Sequence, residues 1–136
     1  MVQIKIYYTE LMNTHIKTTN ITLTNAISDY VAKRLEKIEK LLNDDPSAQC
    51  DIELGRTTHH HNKGDVFRAE IHITGRAGLN VYSSIEKEDL YVSIDEVRDA
   101  ILRELNTSRQ KHVSRIRRGG ARIKAMVKGL WPWGAK

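Results

Sequence analysis

The chain has 136 residues, with 22 basic and 17 acidic side chains and a single cysteine, Cys50. That length supports one domain with a modest core; a lone cysteine excludes an intrachain disulfide or a paired-cysteine metal knuckle, and no stretch approaches the roughly 20 apolar residues of a membrane-spanning helix. Charge is unevenly spread: all 17 acids and 13 of the basic residues precede position 107, a balance of −4, and the other nine basic residues follow it unopposed. An electropositive end on a near-neutral body points to a polyanionic partner, nucleic acid before membrane, because each neutralised phosphate releases counterions. The N-terminus lacks the basic-then-apolar pattern of a secretory signal, so the expected location is cytoplasmic.

In chain order, "VQIKIYY" alternates as a strand through Val2, Ile4, Ile6 and Tyr8, and "HIKTTN" offers a second short strand. The two compete for one place at a sheet edge, and residues 1–13 are read as an N-terminal extension or extra strand, with Met12 a candidate internal start. Next, "TNAISDYVAKRLEKIEKLLNDDP" has an amphipathic period: Ile27, Val31, Leu35, Ile38 and Leu42 form one stripe, Thr24 is the N-cap, and Asn43 to Pro46 stop the helix. Its outward side carries Lys33, Lys37 and Lys40, with Arg34 on the flank. Such a row is ordinarily a solvated face, and Glu36 with Lys40 an ordinary supporting pair.

Three segments then switch to a period of two. "AQCDIELG" alternates Ala48, Cys50, Ile52 and Leu54 with polar residues, which makes Cys50 a core residue rather than a redox centre. "VFRAEIHIT" sets Phe67, Ala69, Ile71 and Ile73 against Arg68, Glu70 and His72, and "LNVYSSIE" repeats the pattern through Leu79, Val81 and Ile85. The turn signals "HNKGD" and "GRAG" separate them, so the expectation is an antiparallel meander with one covered face. The cover is "EDLYVSIDEVRDAILRELNTSRQKHVSRIRR", a second helix with Leu90, Ile94, Val97, Ile101 and Leu105 at helical spacing and Asp89 as its cap, running to a break at Gly119 and Gly120. Residues 113–136 are read as a basic tail in which Trp131 and Trp133 are too apolar to be mere spacer.

Catalytic motifs are missing: there is no glycine-rich phosphate loop, no serine elbow and no zinc-protease helix. The one conspicuous cluster is His59, His60 and His61 in "THHHNKGDVF". Zinc needs ligands converging from fixed positions, and adjacent histidines in a turn are poorly held, so neither a metal nor another cofactor is expected. Nucleic acid has more support, from the basic helix face, from "SRQKHVSRIRRGGARIK" and from Lys63 and Arg68 on the hairpin. These side chains suit phosphates, which implies recognition of structured RNA by shape. A double-stranded-RNA-binding domain shares the element order, but its last helix opens with basic residues where this one opens with the acidic "EDLYVSID".

Three stretches, "NITLTNAISDYVAKRLEKIEKLL", "HHHNKGDVFRAEIHI" and "EDLYVSIDEVRDAILRELNTSRQKH", resemble the ribosome hibernation-promoting factor family, which includes the ribosome-associated inhibitor and the sigma modulation proteins. The resemblance implies an α+β fold, β-α-β-β-β-α, with a four-stranded sheet and two helices packed on one face, over a ribosome-binding domain at residues 14–112. It implies a non-enzymatic factor that binds the small ribosomal subunit and its rRNA in the decoding channel. There it blocks transfer RNA and messenger RNA, inhibiting translation and preserving idle ribosomes under stress and in stationary phase.

Position by position, Lys33, Arg34, Lys37 and Lys40 match the family's first basic helix face, and Arg103 and Lys111 the second; Arg109, Arg115, Arg117 and Arg118 are added from charge alone. The chain lacks the second domain of long members, so a short form is expected, monomeric when free, with no membrane and no small-molecule substrate. The alternatives are a general RNA-binding chaperone without a defined ribosomal site and a metal-dependent hydrolase using the histidine run.

Overall fold

The computed structural model describes residues 2–8, 12–58 and 64–108. By its contacts the chain divides at Leu105, and the fold described here is that of Met1–Glu104. One five-stranded sheet has the order β1-β2-β3-β4-β5, with β1 Val2–Tyr8, β2 Asn13–Thr19, β3 Gln49–Thr58, β4 Asp65–Thr74 and β5 Asn80–Lys87. Helices α1 (Asn25–Arg34) and α2 (Glu36–Leu41) lie between β2 and β3, and α3 begins at residue 90 and continues to 108. From β2 onward the order is β-α-β-β-β-α, the α+β arrangement expected from the sequence.

The two N-terminal strand candidates do not exclude each other. They form a hairpin in which Val2 faces Thr19 and Tyr8 faces Asn13, so β1 extends the four-stranded sheet outward as a fifth strand. Inside it, β2 runs parallel to β3, with Ile16 opposite Ile52. A parallel pair needs a long crossover, and the α1–α2 segment supplies it. β3, β4 and β5 then follow as the antiparallel meander.

Alternation decides which face is buried. Ile16, Cys50, Ile52, Leu54, Ala69, Ile71, Ile73 and Val81 are buried on the sheet, and Val31, Leu35, Ile38, Leu42, Leu90, Ile94, Val97 and Ile101 on the helices. Removing each such Val, Leu or Ile from water stabilises the fold by about 1.5–3 kcal/mol. Phe67 and Ile85, expected on the same line, are only half-buried near the strand ends. Ser28 and Ser93 also sit at buried positions, where each hydroxyl donates to the carbonyl three residues back, of Asn25 at 3.1 Å and of Leu90 at 2.6 Å. These small side chains occupy the core side of the helices without leaving the hydroxyl unpaired.

Helix ends follow the sequence. Thr24 Oγ1 accepts the Ile27 N–H at 3.2 Å, and Asp89 Oδ1 accepts those of Tyr91 and Val92 at 2.8 and 3.3 Å. The first helix, expected unbroken to Leu42, has an irregular residue at Leu35, where ψ is −8°. Helical hydrogen bonds nevertheless continue across it, from Leu35 N–H to the Val31 carbonyl and from Glu39 N–H to the Leu35 carbonyl. α1 and α2 therefore follow one path, and the apolar stripe stays on one side.

A buried carboxylate fastens the loop after α2. Asp45 is 5% exposed, and its Oδ1 accepts the Ser47 N–H at 2.9 Å and the Ser47 hydroxyl, while Oδ2 accepts the Arg76 N–H at 2.7 Å. These bonds, the Ser47 hydroxyl foremost, hold the Asp45 carboxyl below the usual aspartate range. Gly75 is required beside it, because a Cβ there would come 2.5 Å from Asp45 Oδ2. The glycine of "GRAG" thus serves a close approach as well as a turn.

Candidate nucleic-acid interface

The sheet leaves its second face open. Register lines up His15, Asp51, His72 and Tyr82 in one row across β2 to β5, and Lys17, Glu53, Glu70 and Ser84 in the next. A shallow concavity of about 400 Å³ lies over these rows. Here His15 Nδ1 is 3.3 Å from Asp51, and Arg68 lies 3.2 Å from Glu70 and 4.0 Å from Glu53. Carboxylates outnumber fixed cations here, so the open face is a poor place for phosphate. Arg68, one of the expected RNA contacts, belongs to this face and is not brought together with the helix lysines.

The helix side differs. Lys33, Lys37 and Lys40 are exposed along α1 and α2, and among the described residues none of them is in a salt bridge. Their spacing of four and three residues puts them on one side of a helical path. Glu39, between Lys37 and Lys40, has its pKa raised by partial burial and then by neighbouring Glu36.

Arg34 has a further role that the sequence did not reveal. Its Nε lies 2.9 Å from Asp95 Oδ1 on α3, its Nη2 donates to the Tyr30 hydroxyl at 3.1 Å, and Tyr30 donates in turn to the same Asp95 oxygen at 2.6 Å. The hydrogen bond to Asp95, more than burial, raises the Tyr30 pKa. The guanidinium also lies 4.9 Å from the Tyr30 ring centroid, and Tyr91 meets that ring edge-on at 4.8 Å. Arg34, Tyr30, Asp95 and Tyr91 form one clasp between α1 and α3. The four-residue step from Tyr30 to Arg34 is visible in sequence; Asp95, 65 residues beyond Tyr30, is not.

Elsewhere on α3 two further acids are matched, Glu96 by Lys87 at 3.1 Å and Asp99 by Arg98 at 2.9 Å. Arg103 is exposed farther along α3. Lys63, Arg109, Lys111, Arg115, Arg117 and Arg118 lie outside the described residues, as do His59, His60 and His61. Among the described residues, no group of three or more potential ligands could hold a metal ion. Cys50 is buried, and burial pushes its thiol up, so it is not a reactive thiolate. Among the described residues no helix is long and apolar enough to cross a membrane.

Comparison with known proteins agrees with this architecture. The model of the family described as Sigma 54 modulation protein / S30EA ribosomal protein matches residues 14–113. A ribosome hibernation promotion factor of Staphylococcus aureus is 27% identical over 99 residues, which cover 73% of this chain and 47% of that protein. The chain thus spans about half the length of that relative. A ribosome hibernation promoting factor of Azotobacter vinelandii is 24% identical over 104 residues, 76% of this chain and 89% of its own. Among solved structures, the crystal structure of the Thermus thermophilus Protein Y N-terminal domain superposes with a TM-score of 0.52 at 27% identity, covering 65% of this chain and 90% of that one. With the fold, the element order and the family match in agreement, the chain belongs to the Sigma 54 modulation protein / S30EA ribosomal protein family.

Proposed function

We propose that this protein is a non-enzymatic ribosome hibernation factor that docks its helix side on the rRNA of the small ribosomal subunit in the decoding channel. The observation that carries this reading is the exposed row Lys33, Lys37 and Lys40, which among the described residues is in no salt bridge, whereas the described arginines Arg34, Arg56, Arg68, Arg76 and Arg98 each lie beside a carboxylate. Lysines in a row contact phosphates and orient the protein without reading sequence, which suits a folded rRNA surface. Occupation of the channel excludes transfer RNA and messenger RNA, and translation stops without any covalent step. Arg103, Lys111, Arg109, Arg115, Arg117, Arg118 and Lys63 are the further basic side chains proposed to contact the rRNA. Arg68, held by carboxylates on the open face, stays outside this footprint. The factor acts as a monomer in the cytoplasm, under stress and in stationary phase.

Sedimentation with purified small subunits, large subunits and an unrelated structured RNA, at about 0.15 M salt where diffuse attraction is partly screened, tests the reading. Retention on small subunits alone is the expected result. Equal retention on all three would replace it with a general RNA chaperone.

A further inference from the structure

Tyr91 and Val92 are exposed large apolar side chains in the first turn of α3, 39% and 43% accessible. Two exposed carboxylates, Glu88 and Asp89, stand immediately before them, and among the described residues neither is in a salt bridge. Asp89 Oδ1 accepts the N–H groups of Tyr91 and Val92 at 2.8 and 3.3 Å and so offsets the positive end of the helix. Glu88 is then a surplus charge. The nearby cations are already matched, Arg34 by Asp95 at 2.9 Å and Lys87 by Glu96 at 3.1 Å. The start of α3 is therefore an apolar surface with a negative rim, and it suits a cation that has a flat face.

The clasp beside it shows how such a cation is held. Arg34 lies over the Tyr30 ring, 4.9 Å from its centroid, while its Nε is 2.9 Å from Asp95, so the ring takes the face of the guanidinium and the carboxylate its edge. Tyr91 and Glu88 offer the same two chemical groups to a partner from outside. The Tyr91 ring is also pre-organised. Tyr30 meets it edge-on at 4.8 Å and 89°, and Tyr30 is fixed in turn by Asp95 at 2.6 Å and Arg34 at 3.1 Å, so covering Tyr91 costs little conformational freedom. We infer that Tyr91, Val92 and Glu88 form a docking surface for an arginine-bearing basic segment of another protein, with a guanidinium over the Tyr91 ring and its N–H groups on Glu88. Lysine fits less well, because an ammonium has no flat face to lay on the ring and no fork for a carboxylate. The surface is opposite in charge to the row Lys33, Lys37 and Lys40, and the inference does not depend on the rRNA-binding reading of that row.

The test titrates full-length protein with a peptide of about nine residues built from arginine and glycine, and with its lysine counterpart, at about 0.05 M salt, where charge contacts are little screened. NMR shifts report both affinity and place. The arginine peptide is expected to bind about threefold more tightly than the lysine peptide and to shift the signals of Glu88, Tyr91 and Val92. Tyr91→Ala is expected to remove that preference, Tyr91→Phe, which keeps the ring, to retain it, and Glu88→Gln to weaken the arginine peptide about threefold; thermal melts confirm that all three are folded. Equal binding of the two peptides, no measurable binding of either, or shifts that leave Glu88, Tyr91 and Val92 unmoved would overturn the inference. So would a preference that survives Tyr91→Ala. A single-stranded oligoadenylate that shifts the same three residues as strongly would assign the surface to RNA, and shifts that grow with the concentration of the protein alone would assign it to a second copy; either result overturns the inference.

Discussion

Replacing Lys33, Lys37 and Lys40 together with glutamate is expected to weaken binding to small ribosomal subunits by at least about 100-fold and to leave the fold unchanged. The size follows from the charge. Three phosphate contacts are removed and three repulsions added, and the logarithm of affinity should fall less steeply with the logarithm of salt by about 2 to 3. The fold should survive because the three ammonium groups are exposed and the apolar stripe of Val31, Leu35, Ile38 and Leu42 lies on the other side of the same helical path. A titration at several salt concentrations reads both numbers, and circular dichroism confirms the helices. Unchanged affinity with an intact spectrum would show that this side of α1 and α2 does not touch the subunit.

The largest effect on stability is expected at Asp45. Asp45→Ala removes the charged acceptor of the Arg76 and Ser47 N–H groups, in bonds that are part-buried around a carboxylate itself 5% exposed, and should cost about 2 kcal/mol. For a domain of this size that lowers the melting temperature by about 10 °C. The pH dependence has a definite sign. Because the native carboxyl has a lowered pKa, its contribution is complete above the ordinary aspartate range and is lost as pH falls through that range into stronger acid. Wild type and variant should therefore differ most near neutrality and converge in acid, which thermal melts across pH will measure. A constant difference down to acid pH would mean that the charge of Asp45 contributes nothing beyond its shape.

The parts of the fold that rest on local rules were legible in the chain. Thr24 and Asp89 cap the helices they were expected to cap, because capping needs only an acceptor one residue before a helical run. Cys50, Ile52 and Leu54 are buried, because a period of two puts them on one face whatever the neighbouring strands are. What could not be read involves partners distant in sequence. Two alternating segments before residue 20 looked like rivals for one edge, and only the hairpin register between Val2 and Thr19 shows how both are used. The bonds from Asp45 to Arg76 and from Tyr30 to Asp95 span 31 and 65 residues, beyond any motif.

The candidate site divides along the same line. Lys33, Lys37 and Lys40 could be grouped from spacing alone, since residues three and four apart share a helix face. Arg34 looked like one more cation of that group, and its engagement with Asp95 and Tyr30 depends on how α3 packs beside α1. Arg68 could be assigned to the polar side of its strand, but only the position of the helices shows that side to be the open one. Composition counted the acids of "EDLYVSID" against RNA binding in a duplex-reading domain; it could not show that Asp95 is already matched by Arg34.

The claim that the helix side occupies the decoding channel is tested most directly by competition. Small subunits carrying messenger RNA and a labelled transfer RNA in the P site should release the transfer RNA as the protein is added, and excess transfer RNA should in turn displace the protein. Simultaneous binding of protein, messenger RNA and transfer RNA to one small subunit would contradict it.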